Sequence, residues 1–208
     1  MDDKKSAIIF MHGLGDSPAG WSQLEHSLEL SVPVIWRFPA APMAPVSING
    51  GQQCTSWFDI VDWPIGLAAR DDREGMAASV ERTKQVIQDL VQNEKIDPKR
   101  IVVGGFSQGG AVALQAGFNS PHKIGGIVCL SGWLFHRDEF AVGANGSTPV
   151  FWGHGQNDEV VLWEQQKAGT EILVSKGVPV TSKTYRMGHS SHPQEMSDLA
   201  DFLSTILQ

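Results

Sequence analysis

The sequence is poor in cysteine and lacks any long hydrophobic run. Its 208 residues include only 2 cysteines. Cys129 lies in the apolar run 126–130, where a small buried hydrophobic residue is expected. We therefore expect no disulfide, in keeping with a cytoplasmic location. The apolar runs are far shorter than the roughly 20 residues of a transmembrane helix, so no membrane-spanning segment is expected.

Basic residues are also scarce and are nowhere clustered. The 16 Lys and Arg residues against 23 Asp and Glu residues leave a formal net charge of -7. No basic stretch could follow a phosphate backbone, so nucleic acid is not an expected partner. The N-terminal apolar run 7–11 is short and is not followed by a small-residue cleavage site, so no secretory signal is expected.

The sequence does contain an alternation of short apolar runs with segments of helical periodicity. The candidate strands cover residues 7–11, 34–38, 101–106, 124–130, 149–152 and 178–185. Several of them are too continuously apolar to have a solvent-facing side. The alternation predicts a single α/β domain over residues 1–208, with a mostly parallel central sheet, helices on both faces and no large cap domain.

Two helices are predicted from regularly spaced apolar residues that would face the core. One stripe comprises Met76, Val80, Thr83, Ile87, Leu90 and Val91, and the other comprises Met196, Leu199, Ala200, Leu203, Ile206 and Leu207. Pro193 is suited to the first turn of the last helix. His192 or Ser191 would then be its N-cap.

Residues 39–74 interrupt the alternation, because they combine many prolines and glycines with many large apolar side chains. They are predicted to form an irregular apolar loop that packs over another part of the molecule. The loop could be an active-site lid or could be pinned to the core by its aromatic side chains, and the two roles are compatible. It is also a candidate surface for homodimer formation. The protein as a whole is a candidate for transient contact with a membrane surface.

Ser107 is the candidate nucleophile. It lies in Gly105-Phe106-Ser107-Gln108-Gly109, between a predicted strand and a run compatible with a helix. This is the context of a nucleophile elbow, in which a strained serine is raised above the sheet and glycines let strand and helix approach closely. The five-residue pattern alone is weak, and its alternative is a glycine-rich turn with an incidental serine.

A serine nucleophile needs a base, and the base needs an acid to orient it. In proteins with a nucleophile elbow the order along the chain is Ser, Asp, His. Asp158 follows the predicted strand 149–152, at the sheet edge where ligands bind. The alternative role for Asp158 is the N-cap of a helix beginning near Glu159.

Two histidines follow the predicted strand 178–185 and compete for the role of base. His189 lies in a free loop directly after a glycine, whereas His192 precedes Pro193 and is better explained as a helix cap. We therefore favour His189. His12 and His154 are expected to be structural, because neither follows the acid in the sequence.

Acyl transfer also requires donors for the oxyanion. The backbone amide of Gln108, directly after the nucleophile, is the first candidate. The amide of Leu14 is the second, because it lies in the glycine-rich turn 12–18 after the first strand. The alternative is a simple strand-to-helix turn.

These motifs resemble those of the acyl-protein thioesterases, also called lysophospholipase-like carboxylesterases, of the α/β-hydrolase superfamily. The matching stretches are residues 12–16, 56–59, 104–110, 130–134, 154–158, 189–191 and 194–196. They span nearly the whole chain in the order of the family. The resemblance implies a catalytic triad of Ser107, Asp158 and His189, oxyanion amides from Leu14 and Gln108, and no metal or cofactor.

The resemblance also implies that long acyl chains are removed from protein cysteines or from lysophospholipids. Such a chain needs an apolar channel. The candidate walls are Trp57, Phe58, Ile60, Trp63, Trp133 and Leu134, although each one taken alone is better explained as core. A short-chain carboxylesterase would share the triad and lack the channel, and a non-catalytic receptor on the same fold is a further alternative.

Two features depart from the family. Members that attach to membranes through their own lipidation carry a cysteine next to the initiator methionine, whereas this chain has Asp2, so that route of anchoring is not expected. The stretch between Trp133 and Pro149 is also short, and it borders the expected acyl site.

Overall fold

A parallel β-sheet forms the centre of the fold in a computed structural model that describes residues 5–208. Asp2 lies outside the described residues. The strands are β1 Ser6–Met11, β2 Val34–Arg37, β3 Met43–Val46, β4 Gln52–Thr55, β5 Ile101–Phe106, β6 Gly126–Leu130, β7 Val150–Gly155 and β8 Val180–Tyr185. Six of them form the sheet, in the order β2-β1-β5-β6-β7-β8.

Every pairing within this sheet is parallel. The helices are α1 Pro18–Trp21, α2 Leu24–Ser27, α3 Arg73–Gln92, α4 Gln108–Phe118, α5 Glu164–Ser175 and α6 Pro193–Ile206. Short 3₁₀ turns cover Ser47–Asn49, Pro98–Arg100, Arg137–Glu139 and Gly143–Asn145. Within residues 5–208, none of the helices combines the length and the hydrophobicity that a membrane span requires. All six sheet strands point the same way, so the loops at their carboxyl ends meet at one edge.

Alternate residues of the strands pack on opposite sides of the sheet. Ile9 and Val103 belong to a core that includes residues of α3, α4 and α5. Ile8 and Val102 belong to a second core that includes residues of α2 and α6. Because successive side chains of a strand point to opposite faces, this division explains why these strands are apolar throughout. The prediction of a mostly parallel sheet with helices on both faces is confirmed.

Local signals fix where the two long helices begin. The Asp72 carboxylate accepts a hydrogen bond from the Gly75 amide at 3.0 Å and caps α3. The His192 Nδ1 atom accepts one from the Gln194 amide at 3.1 Å and caps α6, which begins at Pro193. Both caps satisfy amides that a first helical turn leaves unpaired. The predicted start of the last helix is confirmed, with His192 rather than Ser191 as the cap.

The segment 39–74 is more regular than the sequence predicted. Strands β3 and β4 form a separate antiparallel ribbon, in which Pro45 pairs with Gln53. Gly50 and Gly51, with φ of 65° and 80°, lie between the two strands. The irregular assignment was wrong here because proline argues against a central strand, whereas both strands of a two-stranded ribbon are edges that tolerate it.

Strand β7 is also longer than predicted. It ends at Gly155 rather than at residue 152. The sequence Gly153-His154-Gly155 has the composition of a loop, but His154 pairs with Thr184 and Gly155 with Tyr185 on β8. The neighbouring strand therefore stabilises an extended conformation that local propensity does not favour.

Candidate active site

Ser107 occupies a strained turn between β5 and α4. Its backbone has φ 55° and ψ -119°, and its amide donates a hydrogen bond to the Leu130 carbonyl at 2.8 Å. A Cβ atom at Gly105 would come closer than 3.0 Å to Gly109, and one at Gly109 closer than 3.0 Å to the Met11 carbonyl. Only glycine therefore permits the approach of strand and helix that this turn requires, and a non-glycine residue at positive φ marks stored strain.

The three residues predicted to form a triad lie together at the carboxyl edge of the sheet. Ser107 follows β5, Asp158 follows β7 and His189 follows β8. The distance between Ser107 Oγ and His189 Nε2 is 2.9 Å, and that between His189 Nδ1 and Asp158 Oδ2 is 2.7 Å. With its proton on Nδ1 and donated to the carboxylate, the imidazole has a free lone pair on Nε2 that can accept the serine proton.

The Asp158 carboxylate is buried, and both of its oxygens are used. Oδ1 accepts hydrogen bonds from the amides of Val160 and Val161, both at 2.9 Å, and Oδ2 accepts one from His189. These bonds close a short turn, whereas α5 begins only at Glu164. Asp158 is therefore not the N-cap of a helix starting near Glu159, and its geometry suits an acid that orients a histidine.

The other histidines near this edge bind backbone groups. His12 donates from Nδ1 to the Gly13 carbonyl at 2.7 Å and accepts at Nε2 from the Ala41 amide at 3.1 Å. His154 donates from Nε2 to the Val161 carbonyl at 2.8 Å. His192 caps α6. Of the histidines weighed from the sequence, His189 is the one that contacts the serine hydroxyl in this structure.

The two backbone amides predicted to bind the oxyanion donate no hydrogen bond to any residue in the described range 5–208. Gln108 is the first residue of α4, where helical amides lack an intrahelical acceptor. The Leu14 amide donates no hydrogen bond within residues 5–208, whereas the Gly15 amide donates to Thr55. A Cβ atom placed on Gly13 would be 3.4 Å from the Ser107 Cβ, so this turn lies beside the nucleophile. Their role in binding an oxyanion stays a prediction.

The Gln108 side chain has a positioning role that the sequence did not reveal. Its Nε2 atom donates to the Phe58 carbonyl at 2.7 Å and to Ser56 Oγ at 3.1 Å, and its Oε1 atom accepts from the Trp57 amide at 3.2 Å. The Trp57 indole donates to the His12 carbonyl at 2.8 Å. These bonds tie residues 56–58 to the nucleophile turn and to the loop after β1. This part of the 39–74 segment is therefore pinned.

A cavity of about 200 Å³ opens beside Ser107 and His189. Its walls are mostly apolar and are formed by Gly13, Leu14, Asp16, Ile60, Trp63, Ile65, Phe106 and Val160, together with those two residues. Ile60 and Trp63 were predicted from the sequence. Asp16, Ile65, Phe106 and Val160 were not, although Phe106 and Val160 adjoin the motifs of the nucleophile and the acid. For Phe106 and Val160, adjacency to those motifs was the signal that could have identified them.

Four of the predicted acyl-site residues lie in the core instead. Trp57, Phe58, Trp133 and Leu134 are almost fully buried and do not line this cavity. The Phe58 ring packs edge-on against Phe135 at 4.7 Å and against Trp133 at 5.6 Å. Large apolar side chains stabilise either a core or a binding site, and composition cannot separate the two. The structure gives these four residues a packing role.

A larger cavity, of about 520 Å³, lies away from the serine and has charged walls. It is lined by Leu67, Ala69, Arg70, Asp71, Arg73, His136, Arg137, Asp138, Glu139 and Gln165. Arg73 pairs with Glu139 at 3.0 Å, and Arg70 pairs with Asp62 at 2.8 Å. Neither Ser107 nor His189 reaches it. Size alone would therefore favour this cavity over the one beside Ser107, whereas the side chains at the smaller cavity make that one the candidate active site.

One buried acid near the site lacks a hydrogen-bond partner. Glu195, in the first turn of α6, is 0% exposed, and neither carboxylate oxygen has a partner among residues 5–208. The carboxylate packs directly against Gly153 of β7. Burial raises the pKa of Glu195 to about 8, because the charged form loses its hydration.

Comparison with known proteins places the chain in a family. The phospholipase/carboxylesterase family matches residues 1–207. The chain is 38% identical to acyl-protein thioesterase 1 of Gibberella zeae over 213 residues, which cover 95% of this chain and 89% of that protein.

Solved structures show the same fold. Arabidopsis thaliana SOBER1 superposes with a TM-score of 0.93 at 30% identity, covering 98% of this chain and 100% of that one. Zea mays acyl-protein thioesterase 2 superposes with a TM-score of 0.83 at 33% identity, covering 98% and 94%. The family, the fold and the strained turn at Ser107 agree. This chain thus belongs to the phospholipase/carboxylesterase family and is a serine hydrolase with the α/β-hydrolase fold.

Proposed function

We propose that Ser107, His189 and Asp158 form a catalytic triad that removes acyl groups from thioesters and esters, and that S-acylated proteins are the natural substrates. The observation that carries this proposal is the unbroken chain of contacts from Ser107 Oγ to His189 at 2.9 Å and from His189 to Asp158 at 2.7 Å. The names of the relatives from Gibberella zeae and Zea mays support the substrate class.

The reaction follows from this geometry. His189 Nε2 takes the proton of Ser107 as the hydroxyl oxygen attacks the acyl carbonyl. The amides of Leu14 and Gln108 hold the oxyanion, each contributing about 2.7–4 kcal/mol of transition-state stabilisation. The carbon–sulfur bond then breaks, and His189 returns the proton to the leaving thiolate. Water activated by His189 attacks the acyl-enzyme and releases the fatty acid and the free serine.

The cavity beside Ser107 supports an apolar acyl group. Ile60, Ile65, Phe106 and Val160 would contact the carbons nearest the carbonyl. Trp63 is 54% exposed at the wall of the same cavity and offers apolar surface to the rest of a long chain. This side chain is also the candidate point for a transient contact with the membrane that holds an acylated protein.

The volume of the cavity favours a second candidate, a short-chain carboxylesterase. At about 200 Å³, it is smaller than the ~300–1,000 Å³ that binding pockets for drug-sized ligands usually provide. A palmitoyl group would have to leave the cavity and follow the surface past Trp63. A butanoyl or hexanoyl group would not.

A chain-length series distinguishes the two candidates. We expect kcat/KM for S-acyl peptides to rise from butanoyl to palmitoyl, with Ser107→Ala as the inactive control. A maximum at butanoyl or hexanoyl would instead establish the short-chain esterase. A competition between S-palmitoyl peptide and lysophosphatidylcholine then determines whether a protein or a lipid leaving group is preferred.

We also infer that the enzyme acts in the cytoplasm and forms a homodimer. The free Cys54 and Cys129 support a reducing compartment.

The dimer proposal rests on the exposed apolar side chains of Trp63 and Leu67. Sedimentation of the wild type and of Leu67→Ser tests it, because a dimer formed through this surface would dissociate in the variant.

A further inference from the structure

His154 is a fully buried histidine that donates a hydrogen bond to a backbone carbonyl. It lies on β7 and donates from Nε2 to the Val161 carbonyl at 2.8 Å. Its Nδ1 atom has no partner among residues 5–208. Because a carbonyl can only accept, Nε2 must carry a proton. Burial lowers the pKa of His154, which favours the neutral ring with its proton on Nε2.

The carbonyl that His154 binds belongs to the turn that holds the proposed catalytic acid. The amides of Val160 and Val161 both donate to Asp158 Oδ1 at 2.9 Å. His154 Nε2 is also 3.4 Å from Asp158 Oδ2, the oxygen that accepts from His189. His154 therefore holds residues 158–161 through the Val161 carbonyl, while the Asp158 carboxylate in the same turn orients His189.

The same turn forms part of the wall of the cavity beside Ser107. The Val160 carbonyl accepts a hydrogen bond from the Ile65 amide at 2.8 Å, and the Leu162 amide donates to the Ile65 carbonyl at 3.1 Å. Both Val160 and Ile65 line the cavity. A shift of this turn would thus move the acid and the acyl wall together.

We propose that His154 is a positioning residue of the reaction, because by holding Val161 it fixes both the Asp158 carboxylate and the Val160–Ile65 wall. This inference rests on the proposed triad. The contact that holds Val161 is one hydrogen bond from the Nε2–H group, so the imidazole ring itself is not required. A side chain that places an N–H donor at the Nε2 position should replace His154, whereas a shorter side chain should not.

Two amide variants differ mainly in reach and test this directly. Glutamine can place its amide near the Nε2 position, whereas the asparagine amide overlaps Nδ1 and falls short of the Val161 carbonyl. We expect His154→Asn to lower kcat by up to about 100-fold, because misplacing a catalytic group by ~1 Å has that effect. We expect His154→Gln to stay within about tenfold of wild type.

The pH profile separates positioning from general stability. Asp158 and His189 are the titratable groups that act on His154. In His154→Asn the carboxylate no longer supports the imidazolium of His189, so we expect the acid limb of kcat/KM to move to lower pH. Gln166→Leu is the matched control, because its buried Nε2 atom donates to the Trp152 carbonyl at 2.8 Å and to the Lys183 carbonyl at 2.9 Å, without contacting the triad. It should lower Tm and leave the acid limb in place.

Two results would overturn the proposal: an unchanged acid limb and kcat in His154→Asn, or equal losses in the Asn and Gln variants. If His154→Asn does not fold, His154→Leu carries the same comparison. Proton NMR of the His189 Nδ1–H signal in wild type and His154→Asn needs no turnover. A signal lost in the variant supports positioning even if the wild type proves inactive on acyl thioesters, and that inactivity would refute the proposed function alone.

Discussion

The candidate site has two halves that are built differently. Ser107, Asp158 and His189 each directly follow a sheet strand, or the turn at its end, and their positions are fixed by strand register and by hydrogen bonds to neighbouring backbone. Ile60, Trp63 and Ile65 come from the 39–74 segment, which has no strand in the central sheet. The first half is positioned by the buried central sheet, and the second by a small number of hydrogen bonds, which include those between Ile65 and residues 160–162.

Two side chains outside residues 56–63, those of Asp72 and Gln108, hold the beginning of this stretch by hydrogen bonds to its backbone. The Asp72 carboxylate caps α3 and also accepts from the Asp59 amide at 2.8 Å. The Gln108 side chain holds residues 56–58. Beyond these points Trp63 is exposed, whereas Ser107 and Asp158 are buried. We therefore expect the sheet half to set the rate for every substrate and the loop half to set the dependence on acyl length.

The largest effect should come from the nucleophile. Ser107→Ala removes the attacking oxygen, and kcat should fall by about a millionfold for acyl chains of every length. Steady-state assays with butanoyl and palmitoyl thioesters measure this, and an unchanged Tm shows that the fold is retained. Activity within about tenfold of wild type would place the chemistry elsewhere.

The next effect should come from the acid. In Asp158→Asn the Oδ1 atom can still accept from Val160 and Val161, so the new amide nitrogen faces His189. Two N–H donors then face each other, so the imidazole proton moves to Nε2. A protonated Nε2 atom cannot accept the proton of Ser107. We expect kcat to fall by about 10⁴ with KM nearly unchanged. Equal loss of rate in an Asp138→Asn control would show that the effect is not specific.

A substitution in the loop half should change selectivity and spare the chemistry. Trp63→Ala removes apolar surface beside the cavity, so we expect KM for a palmitoyl thioester to rise by about tenfold or more, while kcat/KM for a butanoyl thioester stays the same. Val174→Ala, an equally exposed apolar residue on α5, is the control. If Trp63→Ala slows both substrates alike, the division between the two halves fails.

The smallest effect on activity should come from Glu195, which acts on stability. Its carboxyl has an ordinary pKa of 4.5 when unfolded and a pKa of about 8 when folded. Between those values only the unfolded chain releases the proton, so the free energy of unfolding falls as pH rises through this window. The stabilisation is complete below the lower value and is lost above the higher one.

In Glu195→Gln the free energy of unfolding should not show this fall with pH. The variant should therefore become more stable than the wild type, by the order of a few kcal/mol at about pH 9. Urea unfolding at a series of pH values measures it, with kcat at neutral pH unchanged. Glu171→Gln, at an exposed position on α5, is the matched control and should follow the wild type. Parallel pH curves for wild type and Glu195→Gln would contradict the buried-acid assignment.

The same division explains what the sequence could predict. Ser107 and Asp158 follow strands whose apolar runs are visible in the sequence, and His189 follows a segment rich in Val and Thr. Their meeting at one sheet edge then follows from the parallel topology. The loop half has no periodicity to reveal which side of an aromatic residue faces a cavity. Trp57 and Phe58 therefore looked no different from Trp63. Hydrogen bonds between this pair and Gln108 or His12, which are distant in the sequence, hold Trp57 and Phe58 in the core.

His154 illustrates a second limit on what the sequence can predict. Its role depends on a backbone carbonyl at Val161, and that contact requires β7 to extend to Gly155. The glycines on either side of His154 predict a loop, so position in the sequence gave only the negative result that it precedes the acid. Backbone partners of buried side chains are settled by tertiary packing, which no local pattern records.

The proposed mechanism requires that Ser107 carries the acyl group during the reaction. Mixing the enzyme with an S-acyl peptide under single-turnover conditions, stopping with acid and digesting for mass spectrometry tests it directly. We expect a transient acyl adduct on the peptide that contains Ser107 and none in Ser107→Ala. Hydrolysis without any adduct, or an adduct on another residue, would refute this role of Ser107.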